Sequence, residues 1–421
     1  MAHLDQRVAT RVAIVGAGYA GMAAAVALAE RGIRVSVFES GAVPGGRARR
    51  VRISSDGQDR SLDNGQHILA GAYTELFRLM RTVGVPADAL LRIPHEIRYA
   101  DGFAFRALWL PAPLGLLAGL LAVNRVPFAE RMGALKFMAA LRKRDWRMQP
   151  DITVKELLDA HGQRGRLRHY LWEPLCVSAL NTPLDQASAN IFLAALRDTL
   201  AGEREASDLL LPRVDLSRLF PEPAAEYVRA RGGEVRLGET VRDLASLRSE
   251  YRSVIVAAGP HQLKNIMPET ELDYSYQPIY TCYLQYPEST RLDFPMLGMG
   301  RGLVQWVFDR GTLLGEKGRL ACVISAQGDH QEMTQEELAA ACDRELRKTL
   351  PNLPVALWTR VIAEKRATIS CTPGLKRPSV RTATTGVFLA GDYTDPEYPP
   401  TLEAAVRSGI RAAELVASSA R

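Results

Sequence analysis

The stretch RVAIVGAGYAGMAAAVALAERGIRVSVFES sets Gly16, Gly18 and Gly21 in GxGxxG spacing and closes on an acid, Glu39, 23 residues after Gly16. Glycines at these points and a carboxylate at that distance suit the binding of a dinucleotide. Gly16 permits the tight turn, Gly18 lets the backbone approach a pyrophosphate, and Gly21 allows close helix packing. Glu39 is then placed to accept the hydroxyls of an adenosine ribose, and it disfavours a ribose carrying a 2′-phosphate.

These residues need a strand, a helix and a second strand to hold them. Val12 to Val15 is a short apolar strand, the alanine-rich run after Gly21 is a helix ended by Gly32, and an alternating strand leads to Glu39. The helix N-terminus adds free N–H groups and the positive end of a dipole. Directly after Glu39, SGAVPGGRARR supplies a second flexible turn at Gly45 and Gly46, with Arg47 as a cation within reach of the same pyrophosphate. A nicotinamide domain has no need of that turn, so the pattern points to FAD. Near the end, GVFLAGDYTDPEYPPTLEAAVRSG gives an apolar strand, Gly391 and Asp392, then an amphipathic helix from about Thr401 whose start faces the flavin's polar edge. No second strand, GxGxxG and helix unit is present, and GMGRG (298 to 302) lacks the spacing. Electrons are therefore expected from a separate, unidentified donor, or from a reduced nicotinamide visiting the substrate side. No Cys or His follows Cys371, so FAD is expected to be bound noncovalently.

Several segments carry a resemblance. GAGYAG with Glu39, PGGRA, DNGQH (Asp63 to His67), the strands within EVRLGETVRDL and VIVAAGP, and the final AGD with EAAVRSG resemble the flavin amine oxidase and phytoene desaturase superfamily along the full length. Within it, SLDNGQHILAGAY, LWEPLCVSALNTP and GDYTDPEYPPTLEAAVRSG are similar to the hydroxysqualene dehydroxylases of bacterial hopanoid biosynthesis. The resemblance implies an α/β fold with a discontinuous, Rossmann-like FAD-binding domain (8–75, 208–270 and 380–421) and a mixed α+β substrate domain (76–207 and 271–379).

The resemblance also implies roles. Gly16, Gly18, Gly21, Gly46 and Arg47 would hold the pyrophosphate, Glu39 the ribose, and the Val241 backbone the adenine. Gly65, Gln66 and His67 would approach the flavin. Gly391 and Asp392 would meet the ribityl or pyrophosphate region, and Leu402 with Ala405 the pyrimidine edge. The implied reaction is reduction of hydroxysqualene to squalene, which needs an acid for the leaving oxygen and a surface tolerant of a carbocation. Asp395 is the candidate acid, Tyr398 the candidate aromatic face, and His67 the further catalytic candidate, with Glu397 also near. Two alternatives keep the same frame: an FAD-dependent desaturase or amine oxidase, and a flavin-binding membrane scaffold without turnover.

The remaining composition sets limits. The 421 residues are 47% hydrophobic and 24% charged, which suits a large globular core. Five scattered cysteines without CxxC spacing indicate neither a disulfide framework nor a metal site. The N-terminus lacks the pattern of a secretory signal, so a cytoplasmic location is expected. Residues 107–123, ALWLPAPLGLLAGLLAV, carry no charge, fall short of a spanning length and are broken early by Pro111 and Pro113. Between Arg98 and Arg147 nine Lys or Arg face three Asp or Glu. Basic flanks around an apolar block suit anionic lipid better than nucleic acid. The segment is expected either to dip into the inner face of the cytoplasmic membrane and frame a substrate tunnel, or to be an internal hairpin.

Overall fold

The computed structural model describes residues 11–55, 57–110, 114–200, 203–270 and 272–419. Runs such as RVAIV, SVIV and VFL are apolar on both sides and so need cover on both faces. They lie in a five-stranded parallel sheet, ordered Glu234–Leu237, Arg34–Glu39, Arg11–Val15, Ser253–Val256 and Val387–Leu389. Its first crossover is the helix Tyr19–Glu30, buried along all but its last residue. The C-terminal helix Leu402–Ser418 packs on it so tightly that a Cβ on Gly409 would run into the Ala20 carbonyl. Segments distant in sequence thus deliver their strand ends to one edge.

A second, antiparallel sheet is ordered Met296–Gly298, Trp306–Asp309, Arg319–Ser325, Tyr276–Gln285 and Trp358–Ile369. Its side chains alternate as the pleat requires. Cys282, Leu284, Val307 and Cys322 pack with Leu338 and Leu346 of the helix Gln335–Thr349. Tyr283, Trp306, Phe308 and Val323 face the other way, into a core shared with the helices Phe128–Lys143, Val154–Ala160 and Ala189–Leu200.

Two strands are shorter than the segments that hold them. In EVRLGETVRDL only Glu234–Leu237 pairs, because Asp243 accepts from the Ala245 and Ser246 N–H groups and starts the helix Leu244–Glu250. In LVQWVFD the strand begins at Trp306, because the N–H groups of Leu303 and Val304 are taken by the Glu345 carboxylate at 2.9 and 3.3 Å.

The apolar stretch divides. Leu114–Ala122 is helical, and Leu120, Val123 and Val126 are buried in the core of the helical region. Leu108, Trp109, Leu110, Leu114, Leu121 and Phe128 are exposed, Trp109 to 80% and Phe128 to 69%. The break expected at Pro111 and Pro113 lies outside the described residues. Among the described residues, no helix is long and apolar enough to cross a membrane.

Candidate functional site

A cavity of about 1420 Å³ runs from the C-terminal edge of the parallel sheet to the antiparallel sheet. Gly16 sits at its parallel-sheet end with φ +105°, and a Cβ there would stand 2.7 Å from the Ala257 carbonyl oxygen. Gly21 is not on the wall, but a Cβ on it would collide with the Gly16 carbonyl, so it lets the helix seat against the turn. Gly18 caps that helix without a side-chain hydrogen bond, which leaves its first N–H groups for an anion. Gly46 comes up beside Gly18 from the next turn.

Glu39 ends its strand at the wall. Its carboxylate accepts from the Ala17 N–H at 2.8 Å and the Gly41 N–H at 2.7 Å, so the backbone fixes its orientation. Val241 lines the cavity, as do Gly65, Gln66, His67, Gly391, Asp392, Leu402 and Ala405.

Arg47 and Asp392 are joined across the chain at 2.6 Å. A second Arg47 nitrogen donates to the Ala367 carbonyl at 2.7 Å. Burial works against the Arg47 charge, but the Asp392 carboxylate more than compensates and holds the guanidinium protonated. Two of its five N–H groups are thus spent on protein, and the remainder can serve an anion. Asn64 steadies the same corner by donating to the Arg47 carbonyl and to Glu364, each at 3.0 Å.

His67 Nδ1 lies 3.2 Å from the Gly65 carbonyl, which can only accept. In the neutral ring the proton therefore sits on Nδ1 and leaves Nε2 bare. Burial pushes the imidazole below its ordinary value, the Gly65 carbonyl pulls the other way, and the Arg47 charge adds to the lowering. The ring is neutral at pH 7. Tyr73, also on the wall, is pushed by burial up to about 12 and keeps its proton.

Asp395 and Tyr398 do not line the cavity. Asp395 Oδ1 accepts from the Glu397 and Tyr398 N–H groups at 3.0 and 3.1 Å, the geometry of a side-chain-closed turn before Pro396. The Tyr398 ring is buried, with the Arg407 guanidinium 4.7 Å from its centroid. Asp395 Oδ1 is engaged by its own turn, and the Tyr398 ring already has the Arg407 guanidinium against it. None of residues 107–110 or 114–123 borders the cavity either, so that segment does not frame its mouth.

The far wall holds residues the sequence did not single out: Ala179, Ile279, Trp306, Phe308 and Val323. Trp306 and Phe308 are two apart on one strand, and Trp306 stands opposite Val323. Strand alternation would have put Trp306 and Phe308 on one face, but nothing local says that this face meets a cofactor.

The glycine cradle, the uncapped helix start and the fixed acid at one end fit the diphosphate and ribose of FAD, with room beyond for its ring. Such a layout defines a class, the oxidoreductases that bind FAD on a Rossmann-like half and pose a substrate against a separate sheet. The sequence pattern of flavin containing amine oxidoreductases matches residues 19–417. The chain belongs to that family, and it is an FAD-dependent oxidoreductase. It is 30% identical to the hydroxysqualene dehydroxylase of Rhodopseudomonas palustris, over 97% of this chain and 99% of that protein. It is 28% identical to the hydroxysqualene dehydroxylase of Zymomonas mobilis, over 96% and 98%. Among solved structures, cyclohexylamine oxidase from Brevibacterium oxydans superposes with a TM-score of 0.69 at 17% identity, over 97% of this chain and 99% of that one. That likeness bears on the fold.

Proposed function

We propose that the chain removes the hydroxyl of hydroxysqualene to give squalene, as a step of hopanoid biosynthesis. Its similarity to two hydroxysqualene dehydroxylases over nearly the full length supports this reading. The observation that carries it is the far wall of the cavity, where Ala179, Ile279, Trp306, Phe308 and Val323 offer a hydrocarbon a surface without a charge.

The reaction protonates the alcohol, releases water, leaves an allylic cation and closes it with a hydride. Reduced FAD supplies the hydride when bound. The protein's task is to exclude water, hold the chain and move the proton. Trp306 and Phe308 line the cavity and, among the described residues, have no cation over their rings, in contrast to Tyr398, so they take the cation-facing role. His67 is the nearest proton-handling candidate on the flavin-facing segment, and Nε2 would carry the proton when the ring is charged. The assignments of Gly16, Gly18, Gly21, Glu39, Gly46, Arg47, Gly65, Gln66, Val241, Gly391, Asp392, Leu402 and Ala405 to FAD belong to the same reading, as does the division into an FAD-binding and a substrate domain.

The exposed Leu108, Trp109, Leu110, Leu114, Leu121 and Phe128 lie in a basic stretch of the sequence that also carries exposed Arg142, Lys143, Arg144 and Arg147. We read this face as a lipid-docking surface for an enzyme whose substrate is nearly insoluble in water. An external electron donor completes the cycle.

The direction of electron flow tests the proposal. Hydroxysqualene mixed anaerobically with reduced holoprotein should return the yellow, oxidised flavin, whereas a carotene or amine substrate should leave it reduced. Bleaching of oxidised flavin by either of the latter would favour a desaturase or amine oxidase.

A further inference from the structure

Arg310 is the most deeply buried arginine described, exposed to 1%. Its Nε and Nη2 hold the two oxygens of Glu316 at 2.8 and 2.9 Å. Its Nη1 reaches Asp63 Oδ2 and Gln66 Oε1, both at 3.1 Å. Asp63 is fixed from other sides too, by the Leu216 N–H on its carboxylate at 2.9 Å and the Tyr283 hydroxyl on its carbonyl at 2.8 Å. One cation from the substrate half therefore anchors both ends of the segment Asp63 to Gln66, which leads to His67.

A guanidinium only donates. The amide of Gln66 must then keep its oxygen against Arg310 and turn its NH2 group away. Gln66 lines the cavity, and its Nε2 has no hydrogen-bond partner among the described residues. A flipped amide would set NH2 against a guanidinium and expose a carbonyl instead. The buried cation thus decides whether this point of the wall donates or accepts.

We propose that Arg310 is a positioning residue that locks Gln66 as an N–H donor to an acceptor atom on the ring system of bound FAD. This rests on the placement of the flavin beside Gly65 to His67. A donor at the ring favours the electron-rich reduced flavin, so its loss should lower the midpoint potential.

The test uses FAD-loaded protein titrated against reference dyes. Gln66→Met, of similar length but without the amide, should retain FAD and shift the redox equilibrium toward the oxidised form by about tenfold, ~30 mV for a two-electron couple. Gln66→Glu, which still accepts from Arg310 but presents no donor, should shift it further the same way. Arg310→Lys should move the potential when Gln66 is present and leave it unmoved in the Gln66→Met background, a coupling that a purely structural role would not show. Potentials within twofold of wild type in both Gln66 variants, or a rise in KM with the potential unchanged, would overturn the proposal. A wild type that purifies colourless and takes up no added FAD would instead sink the cofactor reading on which the proposal rests.

Discussion

Glu39 and Asp395 are both carboxylates that accept from two backbone N–H groups, and their surroundings differ. Glu39 is held by two backbone N–H groups at the cavity wall, with oxygen lone pairs to spare for a ribose. Glu39→Ala should weaken FAD by about tenfold to a hundredfold, the scale of lost hydrogen bonds to a charged group. Equilibrium dialysis should show FMN, which lacks the adenosine ribose, unaffected. Asp395 gives Oδ1 to two N–H groups of its own turn and does not line the cavity. Asp395→Asn should accordingly leave turnover within about threefold of wild type, while His67→Ala slows it by about 10² or more, the range of general acid catalysis. Burial lowers the His67 pKa, so its charged form grows only as pH falls below the ordinary histidine value. A rate that needs the imidazolium should rise as pH is lowered through that depressed value and fade above it, and His67→Ala should flatten the profile. Trp306→Leu keeps the apolar surface and removes the ring face. It should retain FAD yet lower squalene yield and release more dehydrated polyene, because an unsupported cation sheds a proton before hydride capture; an unchanged product ratio would remove Trp306 from that role.

At the scale of elements, what could be read early was what is encoded locally. The turn from Val15 to Gly21 and the acid at Glu39 lie within one strand, helix and strand, so spacing alone locates them. Trp306, Ile279 and Val323 reach one wall through antiparallel pairing of strands far apart in sequence, and Arg310 meets Asp63 across 247 positions. No periodicity of a single segment records such meetings. Asp395 was read from its place just ahead of the helix that borders the cavity, and that spacing does not tell where the carboxylate turns; its Oδ1 goes to its own turn. The helix Leu114–Ala122 was legible as apolar, but its two faces separate only once Leu120 is seen in the core and Leu114 and Leu121 outside it. Replacing Trp109, Leu114, Leu121 and Phe128 together with Ser should leave the fold intact, since all four are exposed. The same change should abolish flotation with anionic liposomes. Wild-type protein should lose binding as salt rises, because each basic residue near an anionic surface contributes about 1 kcal/mol that ions screen. A wild type that never floats at low salt would end the lipid reading.

For the whole molecule, the parallel sheet and the antiparallel sheet matter because one cavity joins them, glycine-lined at the first and lined by Ile279, Trp306, Phe308 and Val323 at the second. The account requires electrons to pass from the first toward the second. The most direct measurement is a single anaerobic turnover in D2O, with reduced FAD-loaded protein in excess over hydroxysqualene, absorbance followed at the flavin bands and product analysed by mass spectrometry. The flavin N–H that yields the hydride exchanges with solvent, so the account predicts one flavin oxidised per squalene formed and one deuterium per squalene, at the carbon that bore the hydroxyl. Flavin that stays reduced while hydroxysqualene is recovered unchanged, or squalene formed without deuterium, would contradict it.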